Sequence, residues 1–466
     1  MFESHRQILA ESQPLGVTGR VSGVRGLTAT VADFPAPVGS ACRIVNGAAA
    51  AIGRGAAPCG LAARVVGFTG EDTLVMPLGP MTGITRGDRV VFCSAQQAIG
   101  VGAGMLGRVL NGRGEPMDGR GSFAIAARVP IWPPPTSPLA RERITEPLPT
   151  GIRVVDAMLT IGRGQRMGIF SGSGVGKSVM LGMVGRHTAA DVTVIALIGE
   201  RSREVRDFIE RDLGPAALER SVVVVSTPNE PALVRVQAAA VATAVAEYFR
   251  DRGCDVLLLL DSLTRLAFAQ RTVGLAAGEP PATKGFPPSV FNLLPELLER
   301  SGRTAAGSIT GFYTVLVEGD DMSEPVSDAV RSVTDGHICL SRELFAQGHY
   351  PAVDLLASIS RVMVDVADDP HRQAAREVRK LLAAYAEVQD LVNVGAYKAG
   401  ANPQTDLAVQ SMPLIRGFLT QTIQESSTFE QMLARLHELL RRIGQLRGGL
   451  AAARSGNAQT GQRNTA

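Results

Sequence analysis

Residues 173–178, with the sequence Ser-Gly-Val-Gly-Lys-Ser, follow a short apolar run and precede a stretch with helical spacing. Gly174 and Gly176 allow backbone N–H groups to curl around phosphate oxygens, and a helix that begins there adds the positive end of its dipole. Lys177 can place a positive charge on the β- and γ-phosphates, and the Ser178 hydroxyl can bind Mg²⁺. This arrangement is typical of a P-loop and predicts a nucleoside triphosphate site. The candidate nucleotide-binding residues are Ser173, Gly174, Val175, Gly176, Lys177, Ser178 and Val179.

An aspartate follows a second apolar run. Asp261 comes directly after residues 256–260, which are all apolar. A carboxylate at the end of such a strand is the usual protein partner of the P-loop hydroxyl in holding magnesium. Taken alone, Asp261 or Ser262 could simply cap the helix that follows. With a P-loop in the same chain, we interpret Asp261 as a metal ligand.

Glu200 follows a third apolar run, residues 192–198, and precedes Arg201. Because the carboxyl ends of parallel strands line one crevice, Glu200 should face the same cavity as Lys177 and Asp261. A carboxylate in that position can polarise an attacking water molecule. The alternative interpretation is a surface Glu–Arg ion pair.

From about residue 151, short and wholly apolar runs alternate with helical stretches, including a helix that starts near Pro231. Strands without polar alternation are buried on both faces, which predicts a parallel sheet covered by helices. The predicted strands are residues 167–170, 192–198, 222–225, 256–260 and 309–317. Residues 374–388 and 429–446 have the spacing of amphipathic helices, and no strand is expected after about residue 370.

The amino-terminal part has a different pattern. Residues 17–95 contain short apolar runs broken by Gly, Pro and Asp, which is typical of a small β-barrel or sandwich. Prolines between Trp132 and Pro149 predict an extended linker. The expected units are an N-terminal segment (1–20), a β-barrel (21–95), a linker and entry to the core (96–150), a nucleotide-binding core (151–370), a helical domain (371–455) and a flexible tail (456–466).

Composition excludes several classes of protein. With 45% apolar and 20% charged residues among 466, the chain is globular. We expect neither a membrane span nor a secretory signal, since no apolar run approaches about 18 residues. The cysteines, odd in number at five and widely spaced, predict free thiols in a reducing cytoplasm. A net charge of +3 gives no sign of a nucleic-acid partner.

Longer strings of residues support one family. They are 107–111 (GRVLN), 146–148 (EPL), 151–153 (GIR), 261–265 (DSLTR), 278–285 (GEPPATKG), 317–321 (VEGDD), 348–352 (GHYPA) and 358–363 (SISRVM). Together with the P-loop, they resemble the rotary-type ATPase superfamily and, within it, the flagellar and type III secretion export ATPases. Ser171, where a P-loop usually has glycine, falls where this family often has alanine. The resemblance implies an α/β fold with a RecA-like P-loop NTPase core and parallel sheet, an N-terminal β-barrel and a C-terminal helical domain.

The resemblance also implies roles for single residues. The implied set is Lys177 and Ser178 as ligands of the ATP phosphates, Ser178 and Asp261 as ligands of Mg²⁺, Glu200 as the catalytic glutamate, Arg201 as a phosphate-sensing arginine, Tyr350 as the ring that packs on adenine, and Arg361 as an arginine finger offered by a neighbouring subunit. An arginine supplied in trans acts only when subunits hold one relative position, so hydrolysis becomes coupled to subunit movement. Without the resemblance, Tyr350 would more often be a core residue and Arg361 a surface charge.

The family forms rings of six identical subunits. The implied partners are a coiled-coil stalk protein in the ring, export gate proteins, export chaperones and their substrates, and a regulatory protein at the N-terminus. Phe2, Ile8 and Leu9 could form an apolar face for that regulator or could simply lie in a frayed end. The implied location is the cytoplasm, with peripheral association at the inner face of the cytoplasmic membrane. The implied activity is ATP hydrolysis that energises the delivery of export substrates to the membrane gate.

Three other classes of protein are alternatives to a flagellar export ATPase. A nucleic-acid ring helicase needs a basic or aromatic groove, but residues 17–95 have Phe34, Phe68 and Phe92 without a tyrosine, a tryptophan or a cluster of lysines. The strings around Asp261 and at residues 278–285 resemble those of export ATPases, which argues against a proton-driven ATP synthase subunit. The ATPase of a virulence-type (injectisome) secretion system is the nearest alternative, and residues 347–350 (QGHY) and 278–285 favour the flagellar system.

Overall fold

The computed structural model describes residues 16–45, 60–317, 321–400 and 402–463, with side chains up to residue 450. Three predictions concern residues outside these ranges. They are the regulator contact at Phe2, Ile8 and Leu9, the free thiol at Cys59, and the centre of the 317–321 string.

Six strands near the amino terminus close into a barrel in the order β1-β2-β5-β4-β3-β6. They are β1 (Thr18–Arg25), β2 (Thr28–Ala32), β3 (Ala41–Val45), β4 (Leu61–Thr69), β5 (Asp72–Pro77) and β6 (Arg89–Ser94). Val21, Val31 and Val75 point inward and fill the barrel, because alternate residues of a strand face one side. Gly26 and Gly70 each begin a two-residue hairpin turn with φ +59°, which glycine adopts without a steric penalty.

A nine-stranded sheet forms the core, in the order β17-β16-β10-β15-β13-β11-β12-β8 with β14 paired to β15. Its strands are β8 (Arg108–Asn111), β10 (Arg166–Ser171), β11 (Val192–Ile198), β12 (Ser221–Ser226), β13 (Asp255–Asp261), β14 (Gly302–Arg303), β15 (Ser308–Leu316), β16 (Gly336–Leu340) and β17 (Val353–Ser360). The strands from β16 to β8 pair in parallel, whereas β14 and β17 run antiparallel to their neighbours. A separate two-stranded sheet joins β7 (Ala98–Val101) to β9 (Ala127–Pro130) within the expected linker region.

Helices cover both faces of this sheet. Alternate residues of β11 belong to two apolar clusters, with Val194 and Ala196 in one and Ile195 and Leu197 in the other. The helices of the core are α1 (Arg153–Met158), α2 (Lys177–His187), α3 (Ser202–Asp207), α4 (Gly214–Glu219), α5 (Ala232–Arg250), α6 (Leu263–Ala276), α7 (Pro288–Leu298), α8 (Pro325–Val333), α9 (Arg342–Ala346) and α10 (Met363–Val366). A π-helical turn, Phe208–Leu213, joins α3 to α4.

One described helix, α5, is long and apolar enough to cross a membrane by length and composition, yet its most apolar window is 89% buried. It packs against β11 and β13 inside the protein, as the core helix of a globular domain does.

The carboxyl-terminal part consists of helices. They are α11 (Asp369–Ala386), α12 (Gln389–Asn393), α13 (Pro403–Leu419) and α14 (Phe429–Arg463). α11 and α14 correspond to the two predicted amphipathic helices, and α13 has no counterpart in the prediction. The backbone of α14 continues to Arg463, through most of the segment expected to be a flexible tail. The predicted fold class, a barrel followed by a parallel-sheet nucleotide-binding core and a helical end, is confirmed.

Candidate active site

The P-loop lies at the carboxyl edge of the sheet, between β10 and α2. Gly176 stands immediately before the helix with φ +85°, so the loop turns sharply into the first helical residue, Lys177. Ser173, Gly174 and Ser178 are exposed, whereas the Val175 side chain is buried against the core. Exposed backbone N–H groups at the start of a helix can bind a phosphate group, and the exposed hydroxyl can bind the metal ion that accompanies it.

The Lys177 ammonium group is held between two carboxylates. It donates a hydrogen bond to Asp261, and its Nζ lies 3.7 Å from Glu200 Oε1. The Thr314 hydroxyl on β15 donates to Asp261 Oδ1 at 2.7 Å. The structure therefore brings together the three residues that the strand-end argument placed in one crevice, and all three are buried.

Glu200 lies just beyond the end of β11, with Arg265 of α6 beside it. Arg265 Nε is 3.2 Å from Glu200 Oε1. Burial and the neighbouring negative charge of Asp261 raise the pKa of Glu200 to about 7, although Lys177 and Arg265 oppose the shift. A carboxyl group whose pKa lies near neutrality is suited to accept a hydrogen bond from, and polarise, an attacking water.

Arg201 does not join this group. It stands directly before α3, largely exposed, and its Nη1 lies 3.1 Å from Glu204 Oε1. A hydrogen bond from Glu200 also lowers the pKa of Glu204. The structure thus pairs Arg201 with Glu204, and the phosphate-sensing role of Arg201 stays a prediction.

A cavity of about 850 Å³ adjoins the P-loop. Its wall includes Gly176 and Val179 on the phosphate side, Tyr350, and residues 420–425 between α13 and α14. The Tyr350 ring is 45% exposed and meets the Phe345 ring edge to face, with 5.2 Å between their centroids. An exposed aromatic ring in an apolar cavity beside a P-loop offers a stacking surface for a nucleotide base.

Some residues of this cavity were missed from the sequence. Phe345 and residues 420–425 belong to no phosphate or metal motif, and the polar letters TQTIQE carry no periodic signal. Arg265 and Thr314 were also missed as neighbours of the acids. Arg265 follows Asp261 by four residues, and Thr314 lies on the neighbouring strand β15. These positions are the only signal of their proximity to Asp261.

Arg361 lies at the other end of the sheet from the P-loop of its own chain. Leu340 of β16 pairs with Ser171, where the P-loop begins, while Gly336 pairs with Ser360 at the opposite end. Four residues of strand at about 3.3 Å each separate these levels by about 13 Å. The Arg361 side chain is exposed there, so it is available to a neighbouring molecule and not to its own Lys177.

The donors at the P-loop fit a magnesium ion. The exposed Ser178 hydroxyl and the Asp261 carboxylate are hard oxygen ligands, and Mg²⁺ in nucleotide sites takes one or two such groups with phosphate oxygens and water. The Asp261 carboxylate is occupied by Lys177 and Thr314, so metal binding would exchange the lysine contact for a cation.

Comparisons with known proteins identify the family. Residues 151–360 match the ATP synthase alpha/beta family, nucleotide-binding domain, and residues 367–438 match the T3SS EscN ATPase C-terminal domain. A flagellum-specific ATP synthase of Pseudomonas aeruginosa is 49% identical over 431 residues, which cover 92% of this chain and 94% of that relative. A type 3 secretion system ATPase of Xanthomonas euvesicatoria is 49% identical over 415 residues, covering 89% of this chain and 92% of that relative.

The similarity extends to solved structures. The assembled ATPase EscN of the enteropathogenic E. coli type III secretion system matches with a TM-score of 0.84 and 40% identity, covering 90% of this chain and 99% of that one. EscN has also been solved in complex with its central stalk EscO. The fold and the site define a P-loop ATPase of the ATP synthase alpha/beta class. Within that class, the chain belongs to the family of flagellum-specific ATP synthases and type 3 secretion system ATPases.

Proposed function

We propose that this chain hydrolyses ATP as a subunit of a flagellar type III protein export apparatus and thereby energises delivery of export substrates to the membrane gate. The observation that carries the enzymatic part is the meeting of Lys177, Glu200 and Asp261 beside a base-sized cavity. These groups supply a phosphate-binding charge, a water-polarising carboxylate and a metal ligand at one edge of the sheet.

The proposed residues contact successive parts of the nucleotide, from its base to its phosphates. Tyr350 stacks on the adenine, and the backbone of residues 173–178 surrounds the phosphates. Lys177 exchanges its contact with Asp261 for one with the negatively charged phosphate oxygens. Ser178 and Asp261 would hold Mg²⁺, and the bound ion would neutralise charge on the phosphate oxygens. Glu200 orients the attacking water, and Arg201, released from Glu204, senses the phosphate.

A ring of six copies completes the site. Arg361 lies at the opposite end of the sheet from its own P-loop, so its proposed role on the γ-phosphate needs a neighbouring copy. The EscN structures, assembled and with a central stalk, support a ring around a coiled-coil stalk protein for this chain. Export gate proteins, chaperones with their substrates, an N-terminal regulator and peripheral contact with the cytoplasmic membrane complete the proposal.

The second candidate is the ATPase of an injectisome. The relative from Xanthomonas euvesicatoria, named for type 3 secretion, has the same 49% identity as the flagellar relative. Deleting the gene separates the two. Loss of flagella supports the flagellar proposal, whereas intact motility with loss of injectisome secretion would replace it with the alternative.

The ATPase proposal is tested at the P-loop lysine. Lys177→Ala should reduce ATP hydrolysis roughly a hundredfold or more, because the positive charge on the transferred phosphoryl group is lost. Lys380→Ala, at an exposed lysine of α11, is the matched control and should retain wild-type turnover. Substantial hydrolysis by the Lys177→Ala protein would refute the assignment of the phosphate site.

A further inference from the structure

Residues 420–425 form a turn between α13 and α14 that contributes one wall of the nucleotide cavity. The P-loop and Tyr350 belong to the core, whereas this wall belongs to the helical end of the chain. We propose that Arg153, which reaches from the core to this turn, is a positioning residue that sets the affinity of the cavity for the nucleotide base. The inference rests on the proposed ATP site.

Arg153 holds the turn through several contacts at once. Its Nη1 donates to the carbonyl oxygens of Phe418 (3.0 Å) and Thr420 (3.2 Å), and its Nη2 donates to the Glu425 carboxylate. The guanidinium also lies over the Phe418 ring, 6.0 Å from its centroid. Both ends of the turn are therefore tied to one side chain, which is 4% exposed.

The backbone that carries Arg153 is itself fixed. The buried carboxylate of Asp156 accepts hydrogen bonds from the backbone N–H groups of Thr150 (2.8 Å) and Gly151 (2.9 Å). Gly151 has φ +72° and packs on His187, the last residue of the helix that begins at the P-loop. Arg153 thus projects from a rigid part of the core toward the turn.

Gln421 connects the turn to the base-stacking residue. Its backbone N–H donates to the carbonyl oxygen of Tyr350 at 2.8 Å. Its side chain accepts from the Arg153 backbone N–H and donates to the Gly151 carbonyl oxygen, each at 2.8 Å. Displacing the turn would therefore displace both the cavity wall and Tyr350.

A second arginine ties the turn to the phosphate side. Arg186, near the end of α2, donates through Nη2 to the Ile423 carbonyl oxygen at 2.9 Å. Since α2 begins at Lys177, contacts made by Arg153, Arg186 and Gln421 fix the distance between the P-loop and the turn of residues 420–425. None of these three side chains touches the Lys177, Glu200 and Asp261 group, so they should affect binding of the base and not the chemical step.

Arg153→Lys keeps the charge but loses the fork with which Nη1 reaches the two carbonyl oxygens while Nη2 reaches the Glu425 carboxylate. We expect its Kd for ADP to rise about tenfold, because ADP would then have to order a turn that has lost about one hydrogen bond from a charged group. The Kd for tripolyphosphate, which lacks a base, should stay within twofold of wild type. In steady-state hydrolysis, KM for ATP should rise while kcat stays within twofold of wild type.

Arg300→Lys is the matched control. Arg300 is buried like Arg153 and also contacts a carboxylate (Glu247), a carbonyl oxygen (Ile131) and an aromatic ring (Trp132), but it does not line the cavity. It should lower the melting temperature as Arg153→Lys does and leave the Kd for ADP unchanged. Gln421→Ala provides a second variant from the wall side, with the same expected increase in Kd for ADP.

The outcomes separate the two proposals. If the wild-type protein did not bind ADP, the nucleotide site itself would be wrong. If it bound ADP while Arg153→Lys and Gln421→Ala did so within twofold of wild type, only the positioning role would be overturned. Equal weakening of ADP and tripolyphosphate would likewise overturn it, because that result indicates general disorder of the site.

Discussion

Glu200 lies among charged groups of both signs in the nucleotide-free chain. Asp261 and burial favour its neutral form, while Lys177 and Arg265 favour the carboxylate, and the balance raises the pKa to about 7 from 4.5. The folded protein therefore binds a proton at Glu200 more readily than the unfolded chain does. Glu200 must be ionised to polarise water, and a pKa of about 7 places the folded protein close to the titration point of this carboxyl group near neutral pH.

This shift predicts a pH dependence of stability. Below about pH 4.5 Glu200 is protonated in both states, and as pH rises toward about 7 only the unfolded chain loses the proton. The free energy of unfolding of the nucleotide-free protein should therefore fall across this window. Glu200→Gln should remove that part of the decline in denaturant titrations, whereas Glu142→Gln, at an exposed carboxylate, should leave it. An identical pH slope for wild type and Glu200→Gln would contradict the shift.

At this scale the sequence predicted the placement of Lys177, Glu200 and Asp261 well. Asp261 ends a buried strand, Glu200 lies two residues beyond another, and Lys177 opens the helix after a third. The position of each apolar run in the sequence therefore indicates where its side chain lies at the edge of the sheet. Arg265 was missed although it follows Asp261 by four residues, whereas residues 420–425 were missed because their proximity to the site arises from tertiary packing alone. The assigned catalytic roles stay predictions until the variants are measured.

At the level of elements, the turn before α1 depends on one glycine. Gly151 has φ +72°, and a Cβ there would lie 2.5 Å from His187 Cβ. Gly151→Ala should lower the free energy of unfolding by about 2–5 kcal/mol, combining a left-handed backbone penalty with overpacking. Gly70→Ala is the matched control: its φ is +59° with open space around it, so about 1–2 kcal/mol is expected. Equal losses in thermal or denaturant unfolding would mean that the close packing on His187 contributes nothing.

Some strands of the sheet are predictable from the sequence and others are not. β11, β12 and β13 lie inside the sheet, and their unbroken apolar runs follow from burial on both faces. β8 and β17 lie at the sheet edges, where β8 alternates buried with half-buried residues and β17 mixes buried with exposed ones, so no apolar run marks either strand. Helix α13 was missed because it contains Pro413, and an internal proline normally indicates a helix end.

At the scale of the whole molecule, the chain presents two different edges. One carries the P-loop and the cavity with Tyr350, and the other carries Arg361 after β17. Two different edges on one chain allow copies to associate head to tail, and such an interface closes into a ring when the rotation between copies closes. The barrel and the helical end, which the family resemblance predicted and the fold confirmed, lie before and after the core that holds both edges.

The central claim is that a neighbouring copy completes the site, and specific ATPase activity against protein concentration tests it most directly. Molecular mass should be measured on the same samples, for wild type and Arg361→Ala. Wild-type monomers should be nearly inactive, with activity rising steeply as rings form, while Arg361→Ala should assemble alike and stay about a thousandfold lower. Full specific activity in wild-type monomers, or Arg361→Ala rings as active as wild-type rings, would contradict the claim.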